Sequence, residues 1–214
     1  MIISRGRRYI FVHIPKTGGT AMALALEPRA LADDILVGDT PKARRRRGRL
    51  KGVETRGRLW KHSSLAEIDG LIAPDEIAAL FSFTLVRNPW DRMVSYYSWL
   101  RGQRFDHPAV RRARTLDFAD FVAAPETQDA WAALPARAYL TDAGGVERCQ
   151  LAIRLEQWRA DAVPLWDHLG FSLELTQVNA SDRGSDYRDY YGAQTARIVA
   201  RISVEDIARF GYRF

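Results

Sequence analysis

Cysteine is nearly absent from this sequence: Cys149 is the only one in 214 residues. A lone thiol excludes an intrachain disulfide and any metal site built from several cysteines of this chain. The fold must therefore rest on a hydrophobic core, and a content of 47% hydrophobic residues is sufficient for one. We expect a single globular domain over residues 1–214, in the reducing environment of the cytoplasm.

Long apolar runs are absent as well, since none approaches the roughly 20 residues that a membrane-spanning helix requires. The first residues, MIISRGRRYIFVHIPK, carry arginines, but their apolar run is short and ends at a Pro-Lys-Thr-Gly-Gly turn. A signal peptide has a longer apolar segment and a cleavage site of small residues. The sequence thus predicts neither an integral membrane segment nor a secretory leader.

Acidic residues are fewer than basic ones, which leaves a net charge of +6. This excess favours an anionic ligand, whether a nucleotide, a nucleic acid, an acidic glycan or a membrane surface. Much of it lies in Pro41–Arg58, a basic segment with few large apolar residues. We expect a mobile loop there, which either attracts an acidic glycan or is simply a solvated run of charge.

A strand, a glycine turn and a helix follow one another near the amino terminus. Tyr9–Ile14 is a β-branched and aromatic run typical of a buried strand, and AMALALEPRAL after the turn is rich in helix formers. Paired glycines let backbone N–H groups approach a phosphate at a helix amino terminus. The turn predicts these phosphate-binding residues: Pro15, Lys16, Thr17, Gly18, Gly19 and Thr20. Lys16 precedes both glycines, so the turn is not a Walker A motif, and an ATPase is disfavoured.

A second strand, turn and helix begin at Phe81–Val86 and continue through Arg87-Asn88-Pro89. Asn88 is a good helix cap and Pro89 suits the first helical position. Arg87 and Ser95, eight residues apart, are candidates to bind a second phosphate, because a guanidinium fork and a hydroxyl both donate to its oxygens. The alternative is a surface salt bridge for Arg87 and a solvated helix face for Ser95.

The two segments FVHIPKTGGTA and LVRNPWDRMVSYYSWLRG, in this order, resemble the donor-binding segments of sulfotransferases that use 3′-phosphoadenosine-5′-phosphosulfate (PAPS). The similarity is greatest to the carbohydrate and hexuronyl O-sulfotransferase branch of bacterial type. The resemblance implies an α/β fold, a P-loop-like three-layer sandwich whose central parallel sheet is flanked by helices. It also implies that residues 16–20 hold the 5′-phosphosulfate, that Arg87 and Ser95 hold the 3′-phosphate, and that no metal takes part.

The general base that the resemblance implies is a histidine between the two donor segments, and His62 occupies that interval. Histidine titrates near neutral pH, so it can accept the proton of an acceptor hydroxyl. The alternative is that Ser63 and Ser64 cap a short LAEI helix and that His62 is only its neighbour. His13, inside the first strand, is interpreted as a packed core histidine.

Three further charged residues have positions that suggest a role. Arg183 lies in a polar loop that the resemblance places over the nucleotide, so it is a candidate donor ligand. Arg154 and Glu156 are two residues apart on an apparent strand and are predicted to form a structural ion pair.

The predicted function is therefore transfer of a sulfuryl group from PAPS to an acceptor hydroxyl on a carbohydrate, with Lys16 and His62 as catalytic residues. The enzyme alternative is a P-loop-type kinase of a small alcohol or nucleoside. The second strand ends in Arg87, however, where a magnesium-dependent kinase would place an aspartate. The other rival is a non-catalytic basic protein that binds glycans or nucleic acid, although the sequence has no recognised nucleic-acid-binding signature. The identity of the acceptor is left open.

Overall fold

The computed structural model describes residues 1–176, 184 and 186–214. Its residues form two compact units. The first contains Met1–Val86 together with the segment that begins at Ala136, and the second contains Arg87–Pro135 together with the C-terminal residues up to Phe214.

The first unit is built on a five-stranded sheet of order β3-β1-β2-β4-β5. The strands are β1 (Ile2–Ser4), β2 (Tyr9–Val12), β3 (Ile35–Leu36), β4 (Phe81–Val86) and β5 (Leu151–Arg154). Strands β2, β4 and β5 are parallel, with Phe11 opposite Phe83 and Leu85 opposite Ile153. Strand β1 is antiparallel to both β2 and β3. The predicted central parallel sheet is confirmed, and two antiparallel strands extend it at one edge.

Among the described residues, six α-helices accompany this sheet: α1 (Gly19–Leu26), α2 (Pro41–Arg46), α3 (Pro74–Ala79), α8 (Ala136–Leu140), α9 (Trp158–Asp161) and α10 (Val163–Leu169). The core joins the sheet to α1 and α10 through these buried side chains: Phe11, Phe83, Leu85, Ile153, Met22, Leu26, Leu165 and Leu169. This apolar packing holds the turn between β2 and α1 at the carboxyl end of the parallel strands, where ligands bind in open α/β sheets.

The basic segment 41–58 differs from the loop predicted for it. Thr40 caps α2 by accepting a hydrogen bond from the Ala43 amide at 3.2 Å, and a 3₁₀ turn covers Arg47–Leu50. Arg46 donates to the carbonyl oxygens of Leu31 and Asp34 at 2.7 and 3.2 Å. Residues 41–50 are ordered by the helix cap and by hydrogen bonds from a guanidinium to carbonyl oxygens. Because these bonds need no large apolar residues, the composition of the segment suggested a loop. Residues 51–58 lie outside helices and strands, and the mobility of the segment stays a prediction.

The second unit is helical. Its helices are α4 (Pro89–Arg101), α5 (Pro108–Thr115), α6 (Phe118–Ala123), α7 (Pro125–Ala132), α11 (Ala193–Ile202) and α12 (Val204–Phe210). The predicted cap of α4 is confirmed, because Asn88 Oδ1 accepts from the Trp90 amide at 3.0 Å. Asn88 also donates to the Arg213 carbonyl at 2.9 Å and so fastens the C-terminal tail.

The predicted ion pair of Arg154 takes a different form in the structure. Strand β5 ends at Arg154, and a 3₁₀ turn begins at Leu155, so Arg154 and Glu156 do not share a strand face. Arg154 instead makes a bidentate salt bridge with Asp161, at 2.7 and 2.9 Å. The helical geometry of α9 brings this aspartate back to the end of the strand.

Candidate functional site

The turn between β2 and α1 has the geometry expected of an anion-binding loop. Lys16 and Gly18 both adopt positive φ, at 66° and 87°. Gly18 precedes α1, whose first amides have no partner within the helix. A left-handed residue followed by helical ones makes a concave set of N–H groups that suits an anion. A β-carbon at Gly18 would lie 2.9 Å from a Leu155 methyl and would also be strained by the positive φ.

Two threonines of the turn have distinct environments. Thr17 is buried, and its hydroxyl donates to the Ile14 carbonyl at 2.9 Å, so in the structure it closes the turn. Thr20 is partly buried in the first turn of α1 and lines a small pocket together with Asp39 and Lys61. The contacts of both hydroxyls with a donor phosphate stay predictions, as do those of Pro15 and Lys16.

His13 links this turn to His62. A β-carbon at Gly19 would lie 2.0 Å from His13 Cδ2, so the imidazole packs directly on the glycine. On its other side, the His13 ring meets the His62 ring edge to face, with centroids 4.4 Å apart. His13 is only 5% exposed, as expected of a packed histidine. The sequence did not reveal that it packs between the two halves of the candidate site.

His62 is held in one tautomer by a backbone contact. Its Nδ1 lies 2.8 Å from the His13 carbonyl oxygen. Because a carbonyl can only accept, Nδ1 carries the proton, and Nε2 of the neutral ring is left with a lone pair. Burial lowers the pKa of His62 to about 4; the His13 carbonyl opposes this shift, and the neighbouring Lys61 ammonium adds to it. His62 is therefore a neutral imidazole at physiological pH, the form that a general base requires.

The neighbours of His62 are arranged differently from the capped helix considered above. Residues 65–68 form turns rather than a helix. Ser64 accepts from the Glu67 amide at 3.2 Å, while Glu67 Oε2 accepts from the Ser64 amide at 2.7 Å. Lys61 forms a salt bridge with Asp39 at 2.7 Å. The cation beside His62 is thus part of an ion pair that sequence reasoning did not identify.

We expect the depressed pKa of His62 to make the protein less stable in mild acid. Above pH 6.5 the imidazole is neutral in both states, and below that value it is protonated first in the unfolded chain. The unfolded state then binds more protons, so the free energy of unfolding falls as the pH drops from 6.5 toward 4. Denaturant titrations across this range should show a shallower decline for His62→Gln than for the parent. If the free energy of unfolding fell equally with pH in His62→Gln and in the parent, the depressed pKa assigned to His62 would be wrong.

Arg87 and Ser95 lie in the second unit. Arg87 follows β4 directly, and its Nε donates to Asp91 Oδ2 at 2.7 Å, one helical turn ahead. The Arg87 side chain is 14% exposed, so this is not the exposed surface pair considered as an alternative. Ser95 is buried in α4 rather than on a solvated face. Their binding of a 3′-phosphate stays a prediction, and Arg183 lies outside the described residues.

The described residues contain no group of three or more histidine, cysteine, aspartate or glutamate side chains placed to hold a metal ion. None of their helices is both long enough and apolar enough to cross a membrane.

Comparison with known proteins identifies a fold. No protein-family model matches the sequence, and no curated protein matches it significantly. Among solved structures, the chain is similar to mouse sulfotransferase SULT7A1 complexed with PAP, with a TM-score of 0.55 and 14% sequence identity. The match covers 95% of this chain and 86% of the mouse chain. The predicted P-loop-like α/β class, a central parallel sheet flanked by helices, is thereby confirmed, and the chain shares its fold with that sulfotransferase.

Proposed function

We propose that this protein is a sulfotransferase that moves a sulfuryl group from PAPS to an acceptor hydroxyl on a carbohydrate. The observation that carries the proposal is the contact of His13 with both Gly19 and His62, because it places the glycine turn, proposed to bind the donor, next to a neutral imidazole, proposed as the base. The fold shared with a sulfotransferase complexed with PAP supports the choice of donor. The compartment that we propose is the cytoplasm.

The turn and the base would divide the chemistry between them. Nε2 of His62 takes the proton of the acceptor hydroxyl as its oxygen attacks sulfur. The bond between sulfur and the 5′-phosphate oxygen breaks, and 3′-phosphoadenosine-5′-phosphate (PAP) leaves. Lys16 and the amides at the start of α1 stabilise the negative charge that grows on the leaving oxygen. We propose that Arg87 and Ser95 bind the 3′-phosphate, and that Arg183 also contacts the donor nucleotide.

Nucleotide preference tests the proposal most directly. Calorimetry should show that PAP binds more tightly than ADP, because ADP carries both of its phosphates on the 5′ chain and lacks the 3′-phosphate that Arg87 is proposed to recognise. Arg87→Ala should weaken PAP binding by about 2 kcal/mol, the scale of a charge-assisted hydrogen bond, and change ADP binding little.

Arg101→Ala is the control, since Arg101 is an exposed arginine at the C-terminal end of α4, whereas Arg87 lies just before its N-terminal end. It should leave both affinities unchanged. Equal affinities for PAP and ADP in the parent protein would contradict the proposed sulfotransferase activity. Tighter, magnesium-dependent binding of ATP would indicate the kinase instead.

A further inference from the structure

Trp60 combines exposure with closeness to the proposed base. Trp60 is an exposed large hydrophobic residue, with 43% of its surface accessible. Its ring nevertheless lies 4.9 Å from the His62 ring, centroid to centroid, at an interplanar angle of 83°. An exposed indole costs free energy through its contact with water. The position next to the base gives this exposure a functional explanation.

The backbone that carries Trp60 is held by one buried serine. The Ser63 hydroxyl accepts from the Trp60 amide at 3.0 Å and lies 2.8 Å from the Arg58 carbonyl and 3.0 Å from the Trp60 carbonyl. The Ser63 amide donates to the Trp60 carbonyl at 3.1 Å. This closed turn fixes Trp60 and His62, two residues apart, before any acceptor arrives. Such preorganisation reduces the entropy lost on binding.

Ring chemistry determines which acceptor this surface suits. The face of an indole is the negative part of its quadrupole, and it attracts groups with partial positive charge. The C–H groups on one face of a pyranose are such groups, and they form a flat apolar surface between hydroxyls. The Arg58 guanidinium lies over the Trp60 ring, with Cζ 6.0 Å from the centroid. A sugar that stacks on this face would displace the guanidinium to its rim, where the N–H groups could donate to sugar oxygens.

We propose that Trp60 is an acceptor-binding residue that stacks against the pyranose ring of the carbohydrate that receives the sulfuryl group. A sugar at van der Waals contact, about 4 Å above the indole, has hydroxyls extending from its rim toward the neighbouring imidazole. This inference rests on the proposed sulfotransferase function.

Steady-state kinetics with labelled PAPS test the inference. The acceptors are a panel of neutral and uronate-containing mono- and disaccharide pyranosides, with simple phenols as the competing ring class. Trp60→Ala should raise the acceptor KM at least tenfold, change kcat less than threefold, and leave PAP affinity in calorimetry unchanged. Trp60→Phe, which keeps a smaller aromatic face, should recover most of the loss.

Trp99→Ala is the matched control, because Trp99 is exposed to a similar extent, 39%, in the other unit. It should behave like the parent. An unchanged acceptor KM in Trp60→Ala, or an equal change in Trp99→Ala, would overturn the role of Trp60 while leaving the proposed function intact. Transfer to phenols but not to pyranosides would overturn both the role of Trp60 and the carbohydrate acceptor, while leaving PAP binding intact. Failure of the parent protein to bind PAP would instead overturn the proposed function, and this inference with it.

Discussion

Replacing His62 with glutamine should lower turnover about 10²-fold to 10⁴-fold, the range expected for loss of a general base. Glutamine can still donate to the His13 carbonyl, which His62 Nδ1 contacts at 2.8 Å, but it cannot accept the hydroxyl proton. Donor affinity should stay within about 0.5 kcal/mol of the parent value, because no phosphate contact is assigned to His62. Transfer of labelled sulfate and calorimetry with PAP measure the two quantities separately.

Lys16→Ala is the informative contrast to this variant. The charge proposed to hold the phosphosulfate also stabilises the leaving group, so this substitution should weaken PAP binding and slow turnover together. If His62→Gln turned over like the parent, the base would lie elsewhere. Glu67 is then a poor substitute, because its carboxylate already accepts the Ser64 amide at 2.7 Å. The exposed Glu54 would be the next residue to test.

Gly19→Ala should destabilise the protein by about 1–3 kcal/mol, the usual cost of an overpacked core position. The added methyl group would lie 2.0 Å from Cδ2 of the buried His13 ring, so the ring must move. Movement of His13 displaces the carbonyl that orients His62 and disturbs the turn that is proposed to hold the donor. PAP affinity and turnover should therefore both fall. Denaturant unfolding, calorimetry and the transfer assay measure the three effects.

Gly48→Ala is the matched control, because nothing lies within 4 Å of a β-carbon there and neither glycine has a positive φ. A compatible glycine-to-alanine change is neutral or slightly stabilising. A double-mutant cycle with His13→Ala separates the steric clash with the His13 ring from other causes of the lost stability. Once the ring is removed, Gly19→Ala should cost much less than it does alone. If Gly19→Ala lowered the free energy of unfolding equally in the parent and in His13→Ala, the clash with the His13 ring would not be the cause.

The elements that carry the site could be predicted from the sequence because their signals are local. Strand β4 occupies the predicted Phe81–Val86, and Asn88 and Pro89 begin α4 as their backbone preferences require. The glycines at positions 18 and 19 indicated a turn into a helix for the same reason. The pairing of β2, β4 and β5 as a parallel sheet then follows from strands separated by helical connections.

The contacts within the site depend on tertiary structure. Some join residues that are distant in sequence, and in others no nearby sequence pattern identifies the partner. His62 meets the His13 carbonyl across 49 positions, and no local pattern shows that a histidine after a strand packs on Gly19. The order of α2 depends on bonds from Arg46 to carbonyls of another segment, and Arg154 finds Asp161 only once α9 has formed. The sequence by itself determined strands β2 and β4, the glycine turn that follows β2 and a histidine of the right chemistry. Only the folded chain decided the tautomer of that histidine, its depressed pKa and the exposed indole beside it, since these depend on burial and non-local contact.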